Sequence, residues 1–374
     1  MPFDAITIDA NVAYRNGFDF EHGLLAELRQ FAHGEVKFVL SEVVLREIRK
    51  GMAAKAVSAR DKLRNAIKDG LEQGLIPAEK TDDVAKTAQE LVAPRQAAEA
   101  RIKAFMEETG AQVVEADEID VSDVVDLYFA SQPPFEASGN KKAEFPDAIA
   151  LLSLQSWAGQ RGAKVLAVSQ DEGWKAFATS VESLCVVDDL AQALSVLQAQ
   201  AEAPEKAAQK TLGLLKTGQA PELEEKFRSS LEWAVQNLDV EPAGDSYYYF
   251  EAELSGIQFQ HYELVEEETG KFELVIVRVE EGELVCQAQV IITATVEASF
   301  NLRQWDSVDR EYIRLGSTSA STAVEFEAGA LITFSGDPQD PEAQLAIDHV
   351  DLVDAIDSVD FGEIEPDRGD YYYE

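Results

Sequence analysis

Four acidic residues in the first half of the chain lie beside short apolar segments: Asp9, Glu47, Asp147 and Asp171. Carboxylates gathered in one place raise one another's pKa or require a cation, because like charges repel. A ligand set made only of oxygen suits Mg²⁺ or Mn²⁺ rather than zinc. The chemistry available to these residues therefore depends on whether the fold brings them together.

The elements predicted around two of these carboxylates place them at one edge of a sheet. The first half alternates short apolar runs with helical periodicity, which is typical of a βαβ domain with a parallel sheet. Asp9 ends a predicted strand over 5–9, and Asp171 comes two residues after a predicted strand over 164–169. Both therefore lie at the carboxyl ends of parallel strands, where open α/β sheets place ligands.

Two predicted helices bring the other carboxylates to the same edge. Glu47 lies in the first turns of the helix that leaves the second strand (36–40), at a position where the i+3/i+4 pattern calls for an apolar residue. Pro146 opens a helix that runs back towards the strand over 164–169. The start of that helix, with Asp147, must then lie at the carboxyl edge.

Each residue also has an ordinary structural interpretation. Asp9 and Asp171 are of a type that is common in turns and helix caps, and Asp147 could simply favour the helix dipole. Glu47 is harder to explain in this way, because an unpaired buried carboxylate is costly. The convergence of all four residues on one edge is what favours a metal site.

The segments that carry these residues resemble, in their order, the four acidic motifs of the PIN-domain nucleases. The resemblance covers about residues 3–197. Its segments are Ile6-Thr-Ile-Asp9-Ala-Asn11, Val43-Val-Leu-Arg-Glu47-Ile48, Phe145-Pro-Asp147-Ala-Ile-Ala150 and Val168-Ser169-Gln-Asp171. It implies an α/β fold, with a Rossmann-like parallel sheet flanked by helices, and hydrolysis of phosphodiester bonds with Mg²⁺ or Mn²⁺. RNA is the more frequent substrate of such proteins, and some cut DNA.

The resemblance also assigns roles. Asp9, Glu47, Asp147 and Asp171 would be the catalytic metal ligands, and Asn11 and Ser169 would support them. Residues 51–109 form a helical insertion of the kind found in larger bacterial PIN-like proteins, and the spacing from Asp147 to Asp171 is longer than usual. Because bacterial members often act as toxins or phage-defence effectors, a role in growth arrest is expected.

Two alternatives stay open at this point. One is a PIN-like module without catalysis that binds nucleic acid or protein. The other is a doubly wound phosphatase, but such enzymes usually need an Asp-x-Asp pair, which Asp9-Ala-Asn11 does not supply. A purely structural domain has no reason to gather four carboxylates, so the nuclease is the preferred hypothesis.

A nuclease whose formal net charge is −38 needs a local basic face to bind a polyanion. Eight basic and two acidic residues lie between positions 46 and 68, directly around Glu47. A solvated helix face is the ordinary meaning of such a run, but its position favours contact with phosphates. The expected nucleic-acid-binding residues are Arg46, Arg49, Lys50, Lys55, Lys141 and Lys142.

Composition changes near residue 200. Residues 1–200 carry a net charge of −11, and residues 201–374 carry −27 with runs typical of β-strands. We predict a PIN-like domain over 1–200, then a helical connector and an acidic, mainly antiparallel β domain over 201–374. The acidic domain could compete with a polyanion for the basic face, bind a protein partner or mediate oligomerisation.

Several classes are excluded by composition. The two cysteines, Cys185 and Cys286, are far apart and have no metal-ligand spacing, which argues against a disulfide framework and a zinc ribbon. The N-terminus lacks the features of a signal peptide, and no apolar run approaches the ~20 residues that span a bilayer. We therefore expect a soluble cytoplasmic protein that does not bind membranes.

Overall fold

A five-stranded, all-parallel sheet forms the centre of the N-terminal part of the chain, as predicted. The computed structural model describes residues 3–135, 144–198, 202–306 and 310–366. The strands are β1 (Ala5–Ile8), β2 (Lys37–Ser41), β3 (Gln112–Val114), β4 (Val165–Val168) and β5 (Leu184–Val187), in the spatial order β3-β2-β1-β4-β5. β1 and β4 are buried along their whole length, which explains their largely apolar sequences.

Helices flank this sheet and connect its strands. They are α1 (Ala10–Arg15), α2 (Gly23–Ala26), α3 (Glu42–Glu72), α4 (Thr81–Gln89), α5 (Pro94–Thr109), α6 (Val121–Ala130), α7 (Phe145–Arg161), α8 (Glu172–Ala178) and α9 (Leu190–Val196). Short 3₁₀ segments occupy Glu27–Phe31, Ala78–Lys80 and Ala116–Glu118. Between β1 and β2 the chain therefore forms the short helix α1, a single α-turn (α2) and a 3₁₀ segment.

Helix α3 positions the second acidic residue, and its start follows from its sequence. Ser41 is the N-cap, and its hydroxyl accepts a hydrogen bond from the backbone N–H of Val43 at 3.3 Å. One side of the first turns is buried, and α1 packs closely against it at Gly51. A Cβ at Gly51 would lie 2.5 Å from the ring of Tyr14, so only glycine allows this approach.

The helical insertion over 51–109 is interrupted twice. The first break is near Gly74, whose φ is +67°. The second precedes Pro94, because proline disfavours a helical conformation at Ala93, which is extended. Helix α5 is tied to the core, since the Phe105 ring stacks on Phe20 with centroids 4.1 Å apart.

The C-terminal part has a different architecture. Its elements are α10 (Glu202–Lys216), α11 (Pro221–Gln236), β6 (Glu241–Asp245), β7 (Tyr249–Leu264), β8 (Leu274–Glu280), β9 (Glu283–Asp306), β10 (Glu311–Ser335), β11 (Ala346–Val353) and β12 (Ser358–Glu363). The main sheet is antiparallel, as predicted, in the order β11-β10-β9-β7, with β8 also paired to β9. β6 and β12 form a small parallel pair, which was not predicted.

The core of the C-terminal part lies between one face of the main sheet and the two helices. Phe227 and Leu231 of α11 belong to the same buried apolar cluster as alternate residues of β9, such as Val290 and Ile292. Packing divides the chain into two compact units, residues 1–199 (the N-terminal unit) and 200–374 (the C-terminal unit). None of the described helices has the length and apolar character required to cross a membrane.

Candidate active site

Asp9 lies at the carboxyl end of β1 and is 3% exposed. It occupies the N-cap position of α1, but its side chain makes no capping hydrogen bond. Its Oδ2 instead accepts hydrogen bonds from the Ser169 hydroxyl at 2.9 Å and from the Asn11 amide at 3.3 Å. Burial raises the pKa of the Asp9 carboxyl, and the Ser169 hydrogen bond opposes this rise. A capping role alone therefore does not account for Asp9.

Asp171 caps α8 and is joined to Asp9 through Ser169. Its Oδ1 accepts the backbone N–H groups of Gly173 at 2.7 Å and Trp174 at 3.2 Å. Its own N–H donates to the Ser169 hydroxyl oxygen at 3.1 Å. A Cβ at Gly173 would lie 2.8 Å from the Asp171 Oδ1, so glycine is needed for this cap. The structural interpretation of Asp171 as a cap residue is thus correct, and the same residue also faces the acidic edge.

Asp147 lies in the first turn of α7. Its Oδ1 accepts a hydrogen bond from the indole Nε1 of Trp174 at 2.9 Å. Burial, together with the smaller effects of the Asp9, Asp171 and Glu47 charges, raises the pKa of Asp147 from 3.8 to about 6, and the indole hydrogen bond opposes this rise. Electrostatic interactions therefore join Asp147 to each of the other three acidic residues.

Glu47 completes the group from α3. Its side chain is half-buried beside the buried residues Val44 and Ile48, and no described residue gives it a hydrogen bond or an ion pair. Burial is the main cause of its raised pKa, the Asp9 charge adds to the rise, and Lys50 opposes it. An unpartnered carboxylate in such a place is costly, so a structural role does not account for it.

The four carboxylates fit a hard divalent cation by the chemistry of their donors. All the donor atoms are oxygens, and the hydrogen bonds of Asp147 and Asp171 use one oxygen of each carboxylate. The raised pKa of Asp9, Glu47 and Asp147 means that their ionised forms lack a compensating positive charge. Within the described ranges, however, no three acidic, histidine or cysteine side chains stand close enough together to enclose a metal ion.

The expected basic face is partly assembled. Arg46, Arg49 and Lys50 line a cavity of about 450 Å³ between α3 and α5, and Arg95 of α5 lines it as well. The Arg49 Nε is buried without a hydrogen-bond partner, 3.8 Å from the Glu99 carboxylate, which also lines the cavity.

The other expected basic residues do not line this cavity. Lys55 points elsewhere and donates to the Gly17 carbonyl at 3.1 Å. Lys141 and Lys142 lie outside the described residues.

Two residues were missed by sequence reasoning. Trp174 is fully buried and links Asp147 to the α8 cap, but in a sequence a buried tryptophan looks like any core residue. The position of Arg95 in the sequence could have indicated its role. It stands in the first turn of α5, where the helix dipole disfavours a cation, so its position called for an anionic partner.

The parallel sheet and its edge define a Rossmann-like α/β domain with an acidic site at the carboxyl ends of the strands. Residues 6–174 match the family model of the PIN domain, and the N-terminal unit of this chain is therefore a PIN domain. The match runs from β1 to α8 and includes all four acidic residues. No curated protein and no solved structure matches the chain. PIN domains are generally nucleases that use divalent metals, which makes a nuclease the class to consider.

Proposed function

We propose that this chain is a metal-dependent endoribonuclease whose active site is the acidic edge formed by Asp9, Glu47, Asp147 and Asp171. The observation that carries the proposal is the gathering of these side chains within the matched PIN domain, where Asp147 interacts electrostatically with each of the other three. Burial and repulsion disfavour the ionised forms of Asp9, Glu47 and Asp147, and a bound divalent cation would stabilise those forms. Mg²⁺ or Mn²⁺, bound by these carboxylates, would supply water activation and charge stabilisation on the leaving oxygen.

The residues around the edge have distinct tasks in this proposal. Asn11 and Ser169 fix the orientation of the Asp9 carboxylate through hydrogen bonds to its Oδ2. Trp174 fixes Asp147 through its indole N–H, leaving the other oxygen of that carboxylate without a hydrogen bond among described residues. Hydrogen bonds of this kind to ligating carboxylates tune affinity and geometry at metal sites. No nucleophilic side chain is required.

The cavity between α3 and α5 supports binding of a nucleic acid. Arg46, Arg49, Lys50 and Arg95 offer four cations around one space, against the single carboxylate of Glu99. Lys50 also interacts with the charge of Glu47, so this cavity lies beside the acidic edge. Phosphate contacts of this type position a strand without reading its sequence. The preference for RNA and a role as a toxin or phage-defence effector belong to the same proposal.

The test is cleavage of a mixed panel of labelled RNAs and single-stranded DNAs with Mn²⁺, Mg²⁺ or EDTA. Wild type is compared with Asp9→Asn and Asp147→Asn, and Glu253→Gln, an exposed residue of the C-terminal unit, is the control. We expect cleavage that needs the metal, is lost in both aspartate variants and is unchanged in the control. Cleavage of the RNAs but not of the DNAs would identify RNA as the substrate.

One observation favours a second candidate, a catalytically silent PIN-like module that binds nucleic acid or protein. Among the described residues, the acidic side chains do not enclose a cation site. If folded wild-type protein retains RNA on a filter but cleaves no substrate with any metal, the silent module replaces the nuclease. Induced expression in a bacterial host, with Asp9→Asn as the control, tests the growth-arrest role separately.

A further inference from the structure

Strand β10 has an outer edge that is unpaired over most of its length. On one side it pairs with β9 from Glu311 to Ser335, whereas on the other side β11 pairs only with its last part, from Gly329 to Ser335. In the described part of the chain, the backbone of residues 311–328 makes no hydrogen bond on that outer side. An edge of this kind presents free N–H and C=O groups to another strand.

This edge lacks the protection that the opposite edge of the sheet has. β7, at the other side, carries Glu251, Glu253 and Glu263 and is interrupted by two bulges. The segment 315–324 of β10 contains no charged residue and no proline. Charges, prolines and bulges are the usual means of preventing edge-to-edge pairing. In a chain with a net charge of −38, this uncharged segment is also where a second copy meets the least repulsion.

We infer that the β10 edge pairs with the same edge of a second copy of this chain, antiparallel and about a two-fold axis near Ala320. Antiparallel pairing about this position sets Thr318 of each copy opposite Thr322 of the other, and Ser319 opposite Ser321. Cross-strand hydroxyl pairs of this kind stabilise antiparallel ladders. The same surface is used on both copies, so the assembly closes as a dimer.

The charges that flank the segment are complementary under the same register. A bulge between Arg314 and Gly316 makes Leu315 an extra residue, so Arg314 falls opposite Glu325 of the other copy. Arg314 pairs with Arg303 of β9, and Glu325 pairs with Thr293, so both side chains lie on the same face of the sheet.

Both residues are exposed, and neither has an ion-pair partner within the described ranges. Two identical ion pairs would therefore form at the two ends of the paired segment. This self-complementarity favours a second copy over a strand of a different protein.

The test is the mass of the full chain by sedimentation velocity and by light scattering, from about 1 to 100 μM. The proposal predicts a dimer of the 41.1 kDa chain in wild type. Each single reversal, Arg314→Glu or Glu325→Arg, places like charges opposite each other twice and should raise the dissociation constant at least about tenfold. The double variant restores both pairs in reversed order and should return it to within about threefold of wild type.

A charge-matched control separates this effect from a general change of charge. Glu253→Arg changes the net charge by the same amount as Glu325→Arg but lies on β7, away from the β10 edge, and should leave the dimer unchanged. Circular dichroism confirms that each variant is folded. A wild type that stays monomeric at every concentration overturns the inference, and so does a dimer indifferent to all the reversals. Nuclease activity plays no part in this readout, so its outcome is independent of the proposed function.

Discussion

In the C-terminal unit, none of the described acidic side chains is buried, and several pair with a cation at the surface, as Glu251 does with Arg303 at 2.6 Å. At the acidic edge of the N-terminal unit, Asp9 is buried, and Glu47 and Asp147 are half-buried. None of these three has an ion pair with a described lysine or arginine. The C-terminal unit, which has more carboxylates, thus keeps them at its surface. The N-terminal unit, which has fewer, gathers four of them at one edge of its sheet. Burial without pairing, rather than number, marks a site.

The sharpest way to break this comparison is to neutralise one carboxylate in each unit. Glu47→Gln should reduce RNA cleavage by at least about 100-fold, because an unpartnered carboxylate of the proposed metal site is lost. Glu253→Gln removes the same charge from an exposed position and should leave the rate unchanged. Initial rates with saturating Mn²⁺ measure both. Equal effects of the two substitutions would contradict the distinction between the units.

A second comparison concerns a glycine in a helix of each unit. Gly51→Ala should cost about 1–3 kcal/mol of unfolding free energy, because the methyl would overlap the Tyr14 ring that packs α1 against α3. Gly213→Ala in α10 meets no atom within 4 Å and should instead stabilise by about 0.5–1 kcal/mol. Urea denaturation measures both values.

The prediction depends on the sign of each change in unfolding free energy, which should be destabilising for Gly51→Ala and stabilising for Gly213→Ala. A neutral Gly51→Ala would mean that α1 need not approach α3 closely.

The buried carboxylates of the acidic edge should also make the stability of the protein depend on pH. Burial and repulsion raise the pKa of Asp147 to about 6 from 3.8, so the folded state favours its protonated form. The stability gained in this way is complete below about pH 4 and is lost as the pH rises through about 6. Without metal, Asp147→Asn should therefore match wild type near pH 4 and exceed it by about 1–2 kcal/mol near pH 7, allowing for partial exposure.

Denaturant midpoints with EDTA across pH 4–8 measure this divergence. Asp239→Asn, at an exposed position of the C-terminal unit, is the control and should run parallel to wild type. A constant offset between Asp147→Asn and wild type over the whole range would show that packing, not ionisation, separates them. Cleavage should show the opposite trend and increase as the pH rises through about 6, because the ligands must be ionised to bind a cation.

The parts of the fold that the sequence predicted are those in which burial is complete. β1 and β4 are short apolar runs because both of their faces are covered, and their ends located Asp9 and Asp171. The full length of β10 was not predictable in this way, because its first half is a serine- and threonine-rich edge with little apolar alternation. β6 contains proline and glycine, and only its pairing with β12 makes it a strand.

The candidate site likewise has parts that the sequence predicted and parts that it did not. Topology alone was enough to place four carboxylates at one edge, since each stands at the end of a strand or the start of a helix. The indole of Trp174 reaches Asp147 only through the packing of α8 against α7, which no local pattern encodes. Arg95 is brought to α3 by the folding back of the helical insertion, so its partners in the cavity are distant in sequence.

The smallest expected effect concerns the positively charged residues of the two units and their contribution to RNA binding. Arg95→Gln should weaken binding of a single-stranded RNA by about three- to tenfold in the cleavage-deficient Asp9→Asn background, because one of four cations around the cavity is lost. It should also lower the slope of log affinity against log salt by about 0.7. Lys226→Gln removes one exposed positive charge from the C-terminal unit and should change neither quantity.

Fluorescence anisotropy over a salt series measures affinity and slope together. A loss of affinity with an unchanged slope would mean that Arg95 supports the fold of the cavity rather than a phosphate. An equal loss in Lys226→Gln would mean that net charge, not the cavity, attracts the RNA. If only Arg95→Gln changes the slope, the helical insertion contributes directly to the nucleic-acid surface, and the concentration of charge in the N-terminal unit extends from its carboxylates to its cations.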